Sequence, residues 1–187
     1  PKETVPVRPN LEIRKQFGWD EDHFVLVVVG RLETQKGHTY LVDAIHELAS
    51  EIPQLRCLIV GEGRLKEPLM AQIESYGITE QIHFAGFRDD VTAVLEACDL
   101  FCLPSITEGL PFALLEACAQ GLPSLVSDVD GMGELFTHKE TTYLVPSTDI
   151  PALADGIRWF IQHPVERADI GNSAYQLVET KLNPDTM

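Results

Sequence analysis

The chain has 187 residues, 44% of them hydrophobic, which is enough for one hydrophobic core of good size or two small ones. Its formal charge of −15, from 29 acidic against 14 basic side chains, excludes nucleic acid or an anionic membrane surface as the natural partner of this piece. No apolar run approaches the roughly 20 residues of a membrane span. The four cysteines (Cys57, Cys98, Cys102, Cys118) lie in apolar segments without paired metal-ligand spacing. They read as small buried hydrophobes of a reducing compartment, and a cytoplasmic protein is expected.

A polar leader with three prolines, Pro1 to Asp22, opens the chain. "FVLVVVG" (Phe24 to Gly30) is a continuous apolar, β-rich run, as expected of a central parallel strand covered on both faces. "HTYLVDAIHELASEI" then carries apolar residues at three-and-four spacing and predicts a helix. "LRCLIVG" (Leu55 to Gly61) repeats the strand-to-glycine pattern, and "RLKEPLMAQIESYG" predicts a helix closed by Gly77. "QIHFAG" is a third strand, and "DDVTAVLEAC" a helix with Asp89 as its N-cap. "DLFCLPS" is the fourth strand. "PFALLEACAQG" is a helix with Pro111 near its first turn and Gly121 at its end. "PSLVSD" and "TYLVP" are the fifth and sixth strands, separated by a short helical turn around Gly133 to Phe136. Two helices, "IPALADGIRWFIQH" and "VERADIGNSAYQLVETKL", finish the chain.

Strand and helix alternate with short connections, which predicts a doubly wound, Rossmann-like α/β domain: six parallel strands with helices on both faces. Ligands of such sheets bind at the carboxyl ends of the strands, where strand order reverses. After the first strand, "GRLETQKG" sets Arg31 and Lys36 behind Gly30, a seat suited to a diphosphate beside helix N-termini. As a plain solvated loop the same residues need no ligand. "GEGRL" after the second strand lacks a G-x-G-x-x-G fingerprint and reads as a tight turn. "GFRDD" after the third offers Phe87 and Arg88, which could border a flat ring or serve only packing and surface.

After the fourth strand, "SITEGLPFALLEACAQGLPSLVS" (Ser105 to Ser127) holds two glutamates, Glu108 and Glu116, with seven residues between them. Glu108 ends the loop; Glu116 sits inside an apolar helix, where a buried carboxylate is costly unless paired. Carboxylates accept from vicinal hydroxyls, so these two can hold two polyhydroxyl rings, with the cations of the first loop on phosphates between them. A turn Glu108 and a helix-surface Glu116 are the plain alternative.

"VVVGRLETQKG", "LIVGEG", "IHFAGF", "ACDLFCLPSITEGLPFALLEACAQGLPSLVS" and "YLVPSTDIPALADGI" follow one another in an order that is similar to a known family. From about Phe24 onward the chain resembles the C-terminal half of retaining glycosyltransferases of family 4, which have the GT-B fold. The resemblance implies a donor-binding domain for a nucleoside diphosphate sugar. By it, Arg31 and Lys36 match the pair on the donor diphosphate, Glu108 the glutamate on donor-sugar hydroxyls, and Glu116 the one on ribose hydroxyls. Arg31, Lys36 and Glu108 are thereby the catalytic candidates. Gly30 and the segment Gly109, Leu110, Pro111 and Phe112 would line the donor pocket, with Phe87 and Arg88 in the base-binding loop. The resemblance implies no cofactor and no required metal.

The chain departs from the family pattern in places. Gly109 is followed by Leu110 and Pro111 instead of an aromatic and a glycine, and Pro111 offers no N–H. The usual double glycine after the fifth strand is Asp130-Gly131, and the usual glycine before "LVP" is replaced in Tyr143-Leu144. The resemblance also implies a second, N-terminal domain that would complete the cleft. The chain therefore reads as one C-terminal donor-binding domain, with residues 1–22 leading in from the missing domain and 165–187 as the last helix. Such a piece is expected to bind donor without turning it over, and any membrane contact of the full-length enzyme would fall to the missing domain. A non-enzymatic nucleotide-sugar-binding module, or one subunit of a two-chain transferase, is the rival reading. A nicotinamide dehydrogenase is disfavoured by the absent glycine fingerprint.

Overall fold

The computed structural model describes residues 10–109 and 111–182. Its frame is the six-residue run Phe24–Val29 (β1), whose β-branched side chains fill both faces of a sheet at once. Leu26 and Val28 point into one core with Leu55, Cys57 and Ile59, whereas Val25 and Val27 enter another with Leu58, Val60 and Phe101. This two-residue alternation, buried on each side, is why the strand reads as unbroken apolar sequence. β1 pairs in parallel with β2 (Leu55–Val60) and with β4 (Leu100–Leu103). Outside these lie β3 (Ile82–Gly86), β5 (Ser124–Ser127) and β6 (Tyr143–Val145), giving the order β3-β2-β1-β4-β5-β6 with every pairing parallel. The expected six-stranded doubly wound sheet is present, and its order reverses between β1 and β4.

Helices cover both faces. α2 (His38–Leu48), α3 (Lys66–Tyr76) and α7 (Ile150–Gln162) close the first core, burying Leu41, Ile45, Ile73, Leu153 and Phe160. α4 (Val91–Glu96), α5 (Phe112–Ala119) and α6 (Met132–Leu135) close the second with Leu95, Leu114, Cys118 and Met132. α8 (Pro164–Leu177) packs on α5 and runs into a π-helical turn, Val178–Leu182. Residues 183–187 of the expected last helix lie outside the described residues. Gly77 ends α3 in the left-handed conformation, φ 67°, as its position predicted. All four cysteines are free and buried, and burial raises every thiol far above its ordinary range, to about 12 for Cys118. They pack as inert small hydrophobes.

Two local expectations need correction. The leader read over residues 1–22 carries a helix that was not expected: residues 1–9 lie outside the described residues, but Leu11–Gln16 form α1, capped by the Asn10 side chain, which accepts from Ile13 N. Ile13 and Trp19 carry this segment into the second core, a pattern masked in sequence by the surrounding polar residues and the prolines before it. The N-cap of α4 is Asp90 and not Asp89, and its side chain does not cap the helix. Its carboxylate is taken instead by the Arg88 guanidinium in a two-pronged pair at 2.7 and 2.6 Å.

α1 is pinned by one arginine. Arg14 is 1% exposed. Its Nε donates to Ala97 O (2.7 Å), one terminal nitrogen to Asp20 O (3.0 Å) and His23 O (2.9 Å), and the other to Asp99 Oδ2 (2.8 Å). The same Asp99 oxygen accepts from Val25 N (2.7 Å), so one carboxylate joins the starts of β1 and β4 to α1. Removing one partner of a buried pair leaves the other charge uncompensated. Arg14→Ala is therefore expected to lower the unfolding free energy by about 3 kcal/mol, read from urea melts. A loss no larger than that of an average surface substitution would show that Arg14 does not hold these segments together.

Candidate functional site

The loops after β1 and β4 meet at the point where strand order reverses. The first leaves β1 through Gly30, makes a short 3-10 turn at Thr34–Lys36, and enters α2 through Gly37 at φ 68°. A Cβ on residue 37 would stand 1.8 Å from Pro104 O, so the two backbones touch where only glycine fits. Ile106 N donates to Gln35 O (2.8 Å) and fastens the loops a second time.

This contact sets Lys36 against Glu108. The Lys36 ammonium lies 2.7 Å from Glu108 Oε1 and 2.9 Å from Oε2, and the Ser105 hydroxyl donates to Oε2 at 2.7 Å. The Glu108 side chain is 5% exposed and that of Lys36 23%. The carboxylate is thus nearly covered, but its charge and acceptor positions are satisfied. The sequence reading named both residues without placing them in contact, because their partnership spans 72 positions. Glu108 N in turn donates to Asp130 Oδ2 (2.6 Å), and so does the Thr107 hydroxyl (2.8 Å). Neither Ser105 nor Asp130 was a candidate from sequence; the only signal was the Asp-Gly pair where two glycines were expected.

Arg31 stands apart from this pair. It is exposed, enters no ion pair among the described residues, and lines two neighbouring cavities. One, of about 520 Å³, is open and polar, bounded by Gln35, Lys36, Thr107, Glu108 and Gly109. The other, of about 340 Å³, is mainly apolar and is lined by Val29, Gly30, Val60, Glu62, Phe87 and Val91 among others. Phe87 is 77% exposed at this cavity, whereas Arg88 is held by Asp90. A third cavity, about 230 Å³, opens by Asp99, Gly121 and Arg167 and shares no residue with these two.

The second glutamate behaves differently from the first. Glu116 is exposed, one turn beyond Phe112, which is 67% exposed on the same helix. Its place inside "FALLEACA" is therefore no buried carboxylate: Leu114, Ala117 and Cys118 face the core while Phe112 and Glu116 face outward. Pro111 is the N-cap of α5 and, among the described residues, no side chain caps its first turn, leaving backbone N–H groups turned toward the loop. Gly109 is exposed, and Leu110 lies outside the described residues.

A parallel sheet with a cationic, carboxylate-bearing cleft at its switch point defines an α/β Rossmann-like domain of the ligand-binding kind. The chain belongs to the glycosyl transferases group 1 family, whose model matches residues 9–177. It is 32% identical over 146 residues to the Escherichia coli UDP-Gal:alpha-D-GlcNAc-diphosphoundecaprenol alpha-1,3-galactosyltransferase, covering 76% of this chain and 38% of that enzyme. The chain thus spans less than half the length of the curated relatives it matches. Among solved structures, Anabaena Alr3699/HepE in complex with UDP superposes with a TM-score of 0.83 at 26% identity, over 91% of this chain and 48% of that one. The C-terminal domain of LpcC, a group 1 glycosyl transferase protein of Francisella tularensis, shares the fold at 24% identity, with a TM-score of 0.81 over 91% of this chain and 93% of that one.

Beneath the cleft, at the first residue of α2, His38 is 1% exposed and neither ring nitrogen meets a hydrogen-bond partner among the described residues. Burial, and then the nearby Lys36 charge, lower its pKa from 6.5 to about 4. The folded chain therefore holds His38 neutral where the unfolded chain would protonate it. Stability from this residue is complete above pH 6.5 and falls as the pH drops toward about 4. The loss at the lower end is expected to be roughly 3 kcal/mol. Unfolding free energies at pH 7 and pH 4.5 should differ less in His38→Phe than in the wild type; equal differences would place the pH dependence elsewhere.

Proposed function

We propose that this chain is the donor-binding domain of a retaining glycosyltransferase, and that its donor is a uridine diphosphate sugar. The observation that carries the reading is the meeting of Arg31, Lys36 and Glu108 at one strand-order reversal, beside an apolar cavity. A diphosphate is complementary to the exposed Arg31 guanidinium and to the first turn of α5, which no side chain caps among the described residues. An ammonium has three donors, so Lys36 can keep Glu108 and still turn one hydrogen to a phosphate oxygen. Glu108 would then face hydroxyls of the donor sugar, and the exposed Glu116 those of the ribose. The base would enter the apolar cavity beside Phe87, recognised by that ring and by loop backbone, since Arg88 is already engaged by Asp90.

Catalysis on this reading is electrostatic. Negative charge grows on the departing diphosphate as the bond to the anomeric carbon breaks, and Arg31, Lys36 and the α5 N–H groups stabilise it in place. No resident metal or cofactor is part of the proposal. The acceptor side of the cleft would come from the second domain of the full-length enzyme. Uridine is supported by the E. coli relative, whose name specifies UDP-Gal, and by the Anabaena neighbour, which was also solved with UDP-glucose. The domain assignment is supported by the fold shared with the LpcC C-terminal domain.

Calorimetric titration of uridine, UDP and UDP-glucose tests the roles separately. Arg31→Ala should weaken UDP by about 1.5–3 kcal/mol and leave uridine almost unchanged. Glu116→Gln should weaken all three ligands alike by about 1–2 kcal/mol, whereas Glu108→Gln should penalise UDP-glucose alone. If Arg31→Ala weakens uridine as much as UDP, the cation is not at the phosphates. If Glu108→Gln weakens all three equally, its assignment to the sugar is wrong.

A further inference from the structure

We propose that Asp130 is a positioning residue for the donor-sugar contact: its carboxylate holds the Thr107–Glu108 backbone so that the Glu108 side chain is presented to the sugar. The inference rests on the donor-site reading above and adds a residue that reading does not contain.

Asp130 occupies the left-handed region, φ 49°, which costs free energy for a residue bearing a Cβ, though less for Asp and Asn than for the others. Such an outlier persists where surrounding interactions over-determine it. Those interactions are not local. α6 begins behind Asp130, yet its N-cap is Gly131, with no side-chain cap, and Gly133 N is satisfied by Asp128 Oδ1 at 3.1 Å. The carboxylates of Asp128 and Asp130 thus diverge, one to its own turn and the other to the β4–α5 loop. Both hydrogen bonds of Asp130 cross from the β5–α6 turn to the β4–α5 loop, 22 and 23 positions away in sequence. They converge on Oδ2 and lower the carboxyl pKa, the Glu108 amide contributing more than the Thr107 hydroxyl.

What they hold is the residue whose orientation matters. Between Ile106 N, which is tied to Gln35, and the start of α5, Glu108 N is anchored among the described residues by Asp130 alone. Its side chain is gripped independently by Lys36 and Ser105. Backbone and carboxylate are therefore held by different partners. Releasing the backbone leaves a carboxylate still paired with Lys36 but free to shift relative to the cleft. Asp130 itself is exposed, so its removal uncovers no core.

The test separates positioning from stability because the two move in opposite directions. Asp130→Gly relieves the left-handed strain and should leave the melting temperature unchanged or raised. It should keep UDP affinity within about twofold of wild type and weaken UDP-glucose and UDP-galactose about tenfold. Asp130→Asn retains an acceptor oxygen and tolerates the same backbone, so it should recover most of the sugar-dependent affinity. A purely structural Asp130 would lower the melting temperature and weaken UDP and both sugar donors together, which would overturn the proposal, as would an Asp130→Gly variant that binds all three like the wild type. Wild-type chain that binds neither UDP nor either donor would instead sink the donor-site reading, and this proposal with it.

Discussion

The site exists because the backbone of the β1 loop touches the backbone of the β4 loop. A Cβ at residue 37 would lie 1.8 Å from the Pro104 carbonyl oxygen, so glycine is a steric requirement at that contact. The approach sets Lys36 against Glu108, lets Ile106 N reach Gln35 O, and buries His38 below. It is possible only because β1 and β4 are adjacent, although two strands and three helices separate them in the chain. The right-handed crossovers of a doubly wound sheet produce that adjacency once, at the reversal of strand order.

Charge is distributed around this contact with economy. In a chain of formal charge −15, Lys36 is committed to Glu108 and Arg88 to Asp90, while Arg31 lines both cavities without an ion pair among the described residues. The covered carboxylate is tolerable because an ammonium and a hydroxyl meet it. The exposed one, Glu116, has no such need. Two glutamates that look alike in sequence therefore have opposite environments: Glu108 is fixed by the protein, whereas Glu116 lies exposed on the outer face of α5.

The sheet was legible from residues because its signal is local. A run such as "FVLVVV" is apolar at every position only when both faces are covered, and the alternation of such runs with helical periodicity implies parallel strands. The residues after each strand could be named as candidates for the same reason. α1 was missed because its core contacts depend on Ile13 and Trp19 within an otherwise polar leader, and Asp89 was misread as the N-cap of α4, a position that falls to Asp90, whose carboxylate is held by Arg88 and does not cap the helix.

By itself, then, the sequence determined the six strands, their parallel arrangement and the loops that carry the cleft, since each follows from short-range periodicity and from glycine at strand ends. Only the tertiary structure decided which charges meet. Arg14 with Asp99, Lys36 with Glu108, and Asp130 with the Glu108 amide join positions 85, 72 and 22 residues apart. No local pattern encodes such pairs, because strand order and the packing of one loop on another bring their partners within hydrogen-bonding reach.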